Sequence, residues 1–331
     1  MKTWILYMLM LLLSSLGVCK EARAVALGVD FTSSYTVTSL GSVPSLPTRY
    51  GGLTFLDSDT ILIGGSANTI DGRLYAIDVI RGAGDHITGF SGSAAVFGSV
   101  GEFNDGGVAF GPGGVLFTSR WPVNQLGQTT PGSTDENKIV DLAALGVAGS
   151  HAAINFIPPG FPGAGEARLV SWSGGEWYSA NLVPDGAGTF NVTSVTQQDL
   201  DPVTPGVQNV PGGPEGFVYI AAGNPGFAAN SLLVSEYTAG TVGAYTSDGS
   251  SNPLVTTRRD FLTGLTGAEG ATIDPVTNDF MFSTFGGSNQ VIVVQGFVAS
   301  PPPGNVPEPS TMLLLGAGLV GLAAWRRKHA A

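Results

Sequence analysis

Five short apolar segments of this 331-residue chain open in the same way, and their spacing limits the fold more than any other feature. They are GGLTFLD at 51–57, GGVAFGP at 106–112, AAINFIP at 152–158, EGFVYIA at 215–221 and EGATIDP at 269–275. The second small residues are Gly52, Gly107, Ala153, Gly216 and Gly270, at spacings of 55, 46, 63 and 54. Further pieces of about 5–8 residues follow each start, rich in Val, Ile, Thr and aromatics and bounded by Gly, Pro, Asn or Asp. After the first come TILIGGS, GRLYAIDV and ITGFSGSAAVF. Four short strands in a repeat of roughly 45–60 residues are a β-propeller blade.

The predicted fold class is therefore all-β, a propeller of five blades. The fifth unit shows only three strands (EGATIDP, DFMFSTFG and NQVIVVQGF) before a proline-rich stretch. DFTSSYTVTSL at 30–40 is a spare strand that can pair with it, close the ring and remove the exposed edges. Six blades is the alternative count, and a two-sheet sandwich is the rival architecture. No long stretch between 30 and 298 has the period of a helix; DLAALGVAG comes nearest and is short and uncapped. With 49 Gly and 21 Pro in a chain that is still 43% hydrophobic, tight turns surround a real core.

Residues 25–306 hold 8 Lys and Arg against 23 Asp and Glu, a net of −15. A body this acidic repels nucleic-acid backbones, which excludes DNA and RNA as expected partners. The same charge serves solubility and allows loose binding of a divalent cation.

Catalytic signatures are sparse. No G-x-S-x-G elbow, HExxH, P-loop or dinucleotide fingerprint is present, and the histidines are His86, His151 and His329. Aligning the repeats gathers one constellation: Asp105, His151, Glu215 and Glu269 stand just before the innermost strands. In a propeller those starts surround one mouth of the central channel. Three carboxylates and an imidazole there suit calcium or another divalent cation, or the orientation of a polar ligand. The competing reading makes them solvent-facing turn and rim residues. DPVTND at 274–279 lacks calcium-loop spacing and reads as a turn. Trp172, Trp177 and Tyr178 suit either stacking on a sugar or filling the space between blades.

In its small-residue starts, its EG dipeptides and its blade period, the stretch 30–298 resembles secreted propellers of the NHL-repeat and SMP-30-like kinds. In SMP-30-like propellers an EG glutamate is a metal ligand, so the resemblance implies that role for Glu215 or Glu269. The full ligand set of that family is not matched.

The two ends carry addresses. MKTWILYMLMLLL, with Lys2 before an apolar run, then Ala22 and Ala24 in a small-x-small arrangement, is an export signal for signal peptidase, with cleavage expected after Ala24. LGVC at Cys19 is a rival lipoprotein box, departing from the usual pattern at Val18. Cleavage after Ala24 discards the single cysteine, so the mature body must hold together without disulfides. At the other end SPPPGN is a stiff spacer. An apolar run from Met312 to Trp325 follows, and then Arg326, Arg327 and Lys328. Trp325 suits the membrane interface, and the basic cluster orients the span with the body outside.

Pro307, Glu308 and Pro309, the short glycine-containing span and the basic cluster, in that order at the end of an exported chain, resemble the PEP-CTERM sorting signal of Gram-negative bacteria. The resemblance implies an exosortase partner, transient anchoring in the inner membrane, cleavage near Pro307–Pro309 and delivery to the surface or matrix. It also implies an association with exopolysaccharide and biofilm. The expected organisation is a signal at 1–24, a propeller-like domain at 25–299, a spacer at 300–306 and a sorting segment at 307–329. The expected role is structural or binding rather than enzymatic; the alternative is a metal-dependent secreted hydrolase or lactonase.

Overall fold

The computed structural model describes residues 24–298 apart from 150 and 288. The expected signal before residue 24, the spacer at 300–306 and the sorting segment at 307–329 lie outside the described residues.

Two strands precede the first repeat: β1 (Ala26–Leu27) and β2 (Thr36–Gly41). Blade one is β3 (Leu53–Phe55), β4 (Thr60–Gly65), β5 (Arg73–Arg81) and β6 (Ile87–Val96). Blade two is β7 (Asn104–Phe110), β8 (Leu116–Arg120), β9 (Gln125–Thr129) and β10 (Lys138–Asp141). Blade three is β11 (His151–Phe156), β12 (Ala167–Ser171), β13 (Trp177–Pro184) and β14 (Phe190–Gln197). Blade four is β15 (Pro214–Ile220), β16 (Ser231–Glu236), β17 (Thr241–Thr246) and β18 (Arg259–Thr263). Blade five has β19 (Ala268–Ile273), β20 (Phe280–Thr284) and β21 (Val291–Gln295). Each is an antiparallel meander, and the five together make a five-bladed propeller. DLAALGVAG forms only a single 3-10 turn, Ala143–Leu145.

The ring is closed from the N-terminus. β2 supplies the fourth strand of blade five, with Val37 opposite Val294 and Ser39 opposite Ile292. β1 extends the outer edge of blade four, Ala26 opposite Thr263. Between them Phe31 and Tyr35 enter an aromatic cluster with Phe227, Phe261 and Phe297, and the Tyr35 hydroxyl donates to Pro225 O at 2.8 Å. Burying side chains of this size stabilises by about 1.5–3 kcal/mol each, which fastens the closing strand.

The second strands β8, β12, β16 and β20 are buried along their whole length, because blades pack on both of their faces. That is why LLVSE and FMFST read as continuous runs rather than alternating ones. Cores lie between blades; Trp177 of blade three packs on Phe217 of blade four with ring centroids 4.4 Å apart.

The repeated small residues act at the axis, where the first strands of the blades meet. A Cβ added to Gly52 would lie 2.8 Å from Gly106 O, one on Gly107 2.5 Å from Ile154 N, and one on Gly216 2.5 Å from Ala271 N. On Gly270 it would lie 2.5 Å from the Gly52 Cα. Backbones of neighbouring blades touch here, and only a residue without a side chain permits it. Gly216→Ala is therefore expected to destabilise by about 1–3 kcal/mol, whereas Gly249→Ala, whose added carbon meets open space, is expected to be near neutral. Equal denaturant midpoints for the two variants would contradict the close approach.

Candidate functional site

Four of the inner strands start with a β-bulge, and three of those bulges carry an acid. In blade two the ladder runs from Asn104–Arg120 to Val108–Thr118, leaving Asp105 to Gly107 opposite the single residue Ser119. In blade four Glu215 and Gly216 stand opposite Ser235, between the pairs Pro214–Glu236 and Phe217–Val234. In blade five Glu269 and Gly270 stand opposite Ser283, between Ala268–Thr284 and Ala271–Phe282. A bulge re-aims a side chain out of the strand's alternation. Each acid is the first residue of its bulge, so all three turn the same way, into the mouth of the channel. Blade two has one more bulge residue than the others, which absorbs the unequal offset of Asp105 from its repeat glycine.

Two of the serines opposite the bulges, Ser119 and Ser283, tie blades together, while Ser235 Oγ is buried without a partner among the described residues. Ser119 Oγ accepts from Gly107 N at 2.8 Å and donates to Ala152 O of blade three at 2.6 Å. Ser283 Oγ accepts from Gly270 N at 3.0 Å and donates to Gly51 O of blade one at 2.6 Å.

Ligand atoms of Asp105, Glu215 and Glu269 all lie within 4.8 Å of one another. The three residues are 2%, 5% and 1% exposed. The Asn68 amide, oriented to donate, reaches Asp105 Oδ1 at 2.9 Å. Glu215 Oε2 and Glu269 Oε1 are buried without a hydrogen-bond partner among the described residues. Burial first, and then mutual repulsion, push the Glu215 and Glu269 carboxyls well above the usual carboxylate range. Burial pushes Asp105 up to about 7.

Three other buried acids have cations. Arg258 Nε donates to Glu236 Oε1 at 2.8 Å, Arg81 Nη1 to Asp274 Oδ2 at 2.8 Å, and Arg120 pairs with Glu136. The cluster at the mouth has no such partner among the described residues.

The grouping of His151 with these acids is corrected here. His151 is paired in the ladder directly across from Ser171, and the residue in the blade-three bulge is the apolar Ala152. The imidazole stands outside the carboxylate group, buried, with neither ring nitrogen partnered among the described residues. Burial lowers its pKa to about 3, so it is neutral.

Above the acids opens a cavity of about 360 Å³. Its wall has a regularity that the repeat alignment misses. Trp121, Trp172, Tyr237 and Phe285 line it, and each is the residue immediately after the second strand of its blade, from blade two to blade five. The signal was an aromatic one or two positions past the serines Ser119, Ser171, Ser235 and Ser283. Blade one has no aromatic there; Arg49 and Asn68 line that side. Of the aromatics singled out in SWSGGEWYS, Trp172 lines the cavity, while Trp177 and Tyr178 fill inter-blade cores. DPVTND is a turn: Asp274 accepts from Val276 N at 3.0 Å and from Thr277 Oγ1 at 2.7 Å, besides binding Arg81.

Residues 305–328 match the PEP-CTERM protein-sorting motif. No curated protein matches the chain. Solved structures similar to it include a gluconolactonase from Xanthomonas campestris, 10% identical over 85% of this chain and 99% of that one, with a TM-score of 0.45. A glutaminyl cyclase from Myxococcus xanthus is 12% identical over 80% and 98%, TM-score 0.45. An auxiliary nutrient binding protein from Bacteroides ovatus is 12% identical over 79% and 76%, TM-score 0.40. The sorting motif implies an exosortase as processing partner, with export and membrane-anchored sorting to the surface.

The cluster sets a pH dependence in the cation-free protein. A carboxyl with a raised native pKa keeps its proton in the fold after the unfolded chain has released it. Stability therefore falls as pH rises from the ordinary carboxylate range near 4 to about 7, and the loss is complete above the native values. Urea unfolding with chelator present is expected to show lower stability at pH 8 than at pH 5, and Glu269→Gln is expected to flatten that difference. Identical slopes for variant and parent would contradict the assignment.

Proposed function

We propose that this chain is an exported protein delivered to the cell surface through exosortase processing, and that its propeller is a binding module with a cation receptor at the channel mouth. The observation that carries the reading is the set of three buried carboxylates, two with unpartnered oxygens, beneath an open cavity. Such a set is costly unless a cation completes it. A divalent ion such as calcium takes oxygen ligands of this kind, with water or a bound ligand filling its remaining positions. The surface role that fits is structural or binding, in the envelope or exopolysaccharide matrix.

The ends of the chain serve delivery in this reading. Signal peptidase cleaves after Ala24, residues 300–306 space the body from the membrane, and 307–329 hold it there until exosortase acts near Pro307–Pro309. Arg326 to Lys328 stay on the cytoplasmic side.

A metal-dependent secreted hydrolase or lactonase is the second reading. Asp105 favours it, because a carboxyl pushed up to about 7 is tuned for proton transfer. Turnover of esters or lactones that chelation abolishes would replace the binding reading.

Calorimetry of the full chain in detergent is expected to show saturable binding of calcium, weakened at least about tenfold by Glu215→Gln or Glu269→Gln. No binding of any divalent or organic cation would end the receptor reading. Mass spectrometry of surface material from the native host is expected to show loss of the segment beyond Pro307–Pro309; an intact C-terminus at Ala331 would contradict the sorting step.

A further inference from the structure

A bare metal ion uses only the floor of the cavity. Calcium takes six to eight oxygens, and above the three carboxylates the walls offer indole, phenyl and phenol rings from four blades. The rings form a contiguous surface on one side: Trp172 and Tyr237 lie 6.3 Å apart at 82°, Tyr237 and Phe285 6.0 Å apart at 68°. An aromatic wall over buried carboxylates is the environment that holds an organic ammonium, by ring-face attraction and by charge-assisted hydrogen bonds.

The three carboxylates also converge closely enough for one such head group to reach all of them. A primary ammonium carries three N–H donors diverging at tetrahedral angles. Bonds about 2.9 Å long at those angles end on acceptors about 4.7 Å apart. The acceptor atoms of Asp105, Glu215 and Glu269 lie within 4.8 Å of one another, and Glu215 Oε2 and Glu269 Oε1 have no other partner among the described residues.

Blade one breaks the aromatic wall with a positive charge. Arg49 is exposed, and its guanidinium makes no hydrogen bond or ion pair among the described residues. Its backbone is held at φ 66 in the left-handed region, with its N–H donating to Asn289 Oδ1 at 2.6 Å. Arg49 opposes a ligand that is only a cation. It suits one whose far end is anionic.

We propose that the channel mouth is a receptor for a small zwitterion that carries a primary ammonium and a carboxylate, as a free amino acid does. The ammonium sits on Asp105, Glu215 and Glu269, the apolar part lies against the aromatic wall, and the carboxylate faces Arg49. The proposal rests on the reading of the three acids as a cation receptor and adds the chemistry of the cation's carrier.

Calorimetry of the full chain in detergent tests it with four probes: leucine, 6-aminohexanoate, leucinamide without the carboxylate, and N-acetyl-leucine without the ammonium. At least one of the two zwitterions is expected to bind and to compete with calcium. Glu269→Gln is expected to weaken binding at least about tenfold, as is removal of the ammonium. Arg49→Ala, at an exposed position, is expected to weaken the zwitterions and to leave leucinamide binding as tight or tighter, since the repulsion of a bare cation goes with the guanidinium. Calcium binding with no zwitterion binding or competing would overturn the proposal while the cation receptor stands. Binding of neither would overturn both. Zwitterion and leucinamide binding alike, unmoved by Arg49→Ala, would overturn the role of the anionic end.

Discussion

Backbone contact at the axis governs this molecule. Gly52, Gly107, Gly216 and Gly270 let the inner strands approach until backbone meets backbone, and the channel narrows to a waist. A Cβ on Gly106 of blade two would lie 3.0 Å from Glu215 Oε2 of blade four, so the contact reaches across the ring as well as between neighbours. Whatever side chains the bulges turn toward this waist must meet one another. Asp105, Glu215 and Glu269 are far apart in the chain and have no other reason to be together.

That crowding sets the electrostatics. The protein pairs Glu236 with Arg258, Asp274 with Arg81 and Glu136 with Arg120, and leaves the three acids at the mouth without a cation among the described residues. Buried like charges so close together either keep protons or receive a positive ligand. Ser119 and Ser283 bind their bulges to the neighbouring blade, so Asp105 and Glu269 stand on a braced frame.

The parts of this arrangement legible in the sequence are those governed by local rules. The waist admits only glycine or, in blade three, alanine, so the five starts could be read and the blades counted. The acids were legible because they stand one or two residues before those glycines. His151 misled, since its distance from Ala153 matches that of Asp105 from Gly107, and only strand pairing shows that Ala152 fills the blade-three bulge. The aromatic wall was hidden because its members share a position at the ends of second strands while their neighbours differ: SRW, SW, SEY and STF. Arg49 was hidden too; nothing near PTRYGG announces a left-handed residue tethered to Asn289 from the last blade.

In the cation-receptor reading the mouth holds protonated carboxyls which a bound cation deprotonates. Infrared difference spectroscopy of the full chain near pH 7, with and without saturating cation, measures this directly. A protonated-carboxyl band is expected in the cation-free protein that disappears on binding, with protons released, and that shrinks in Glu269→Gln. Carboxylates fully ionised in both states would contradict it.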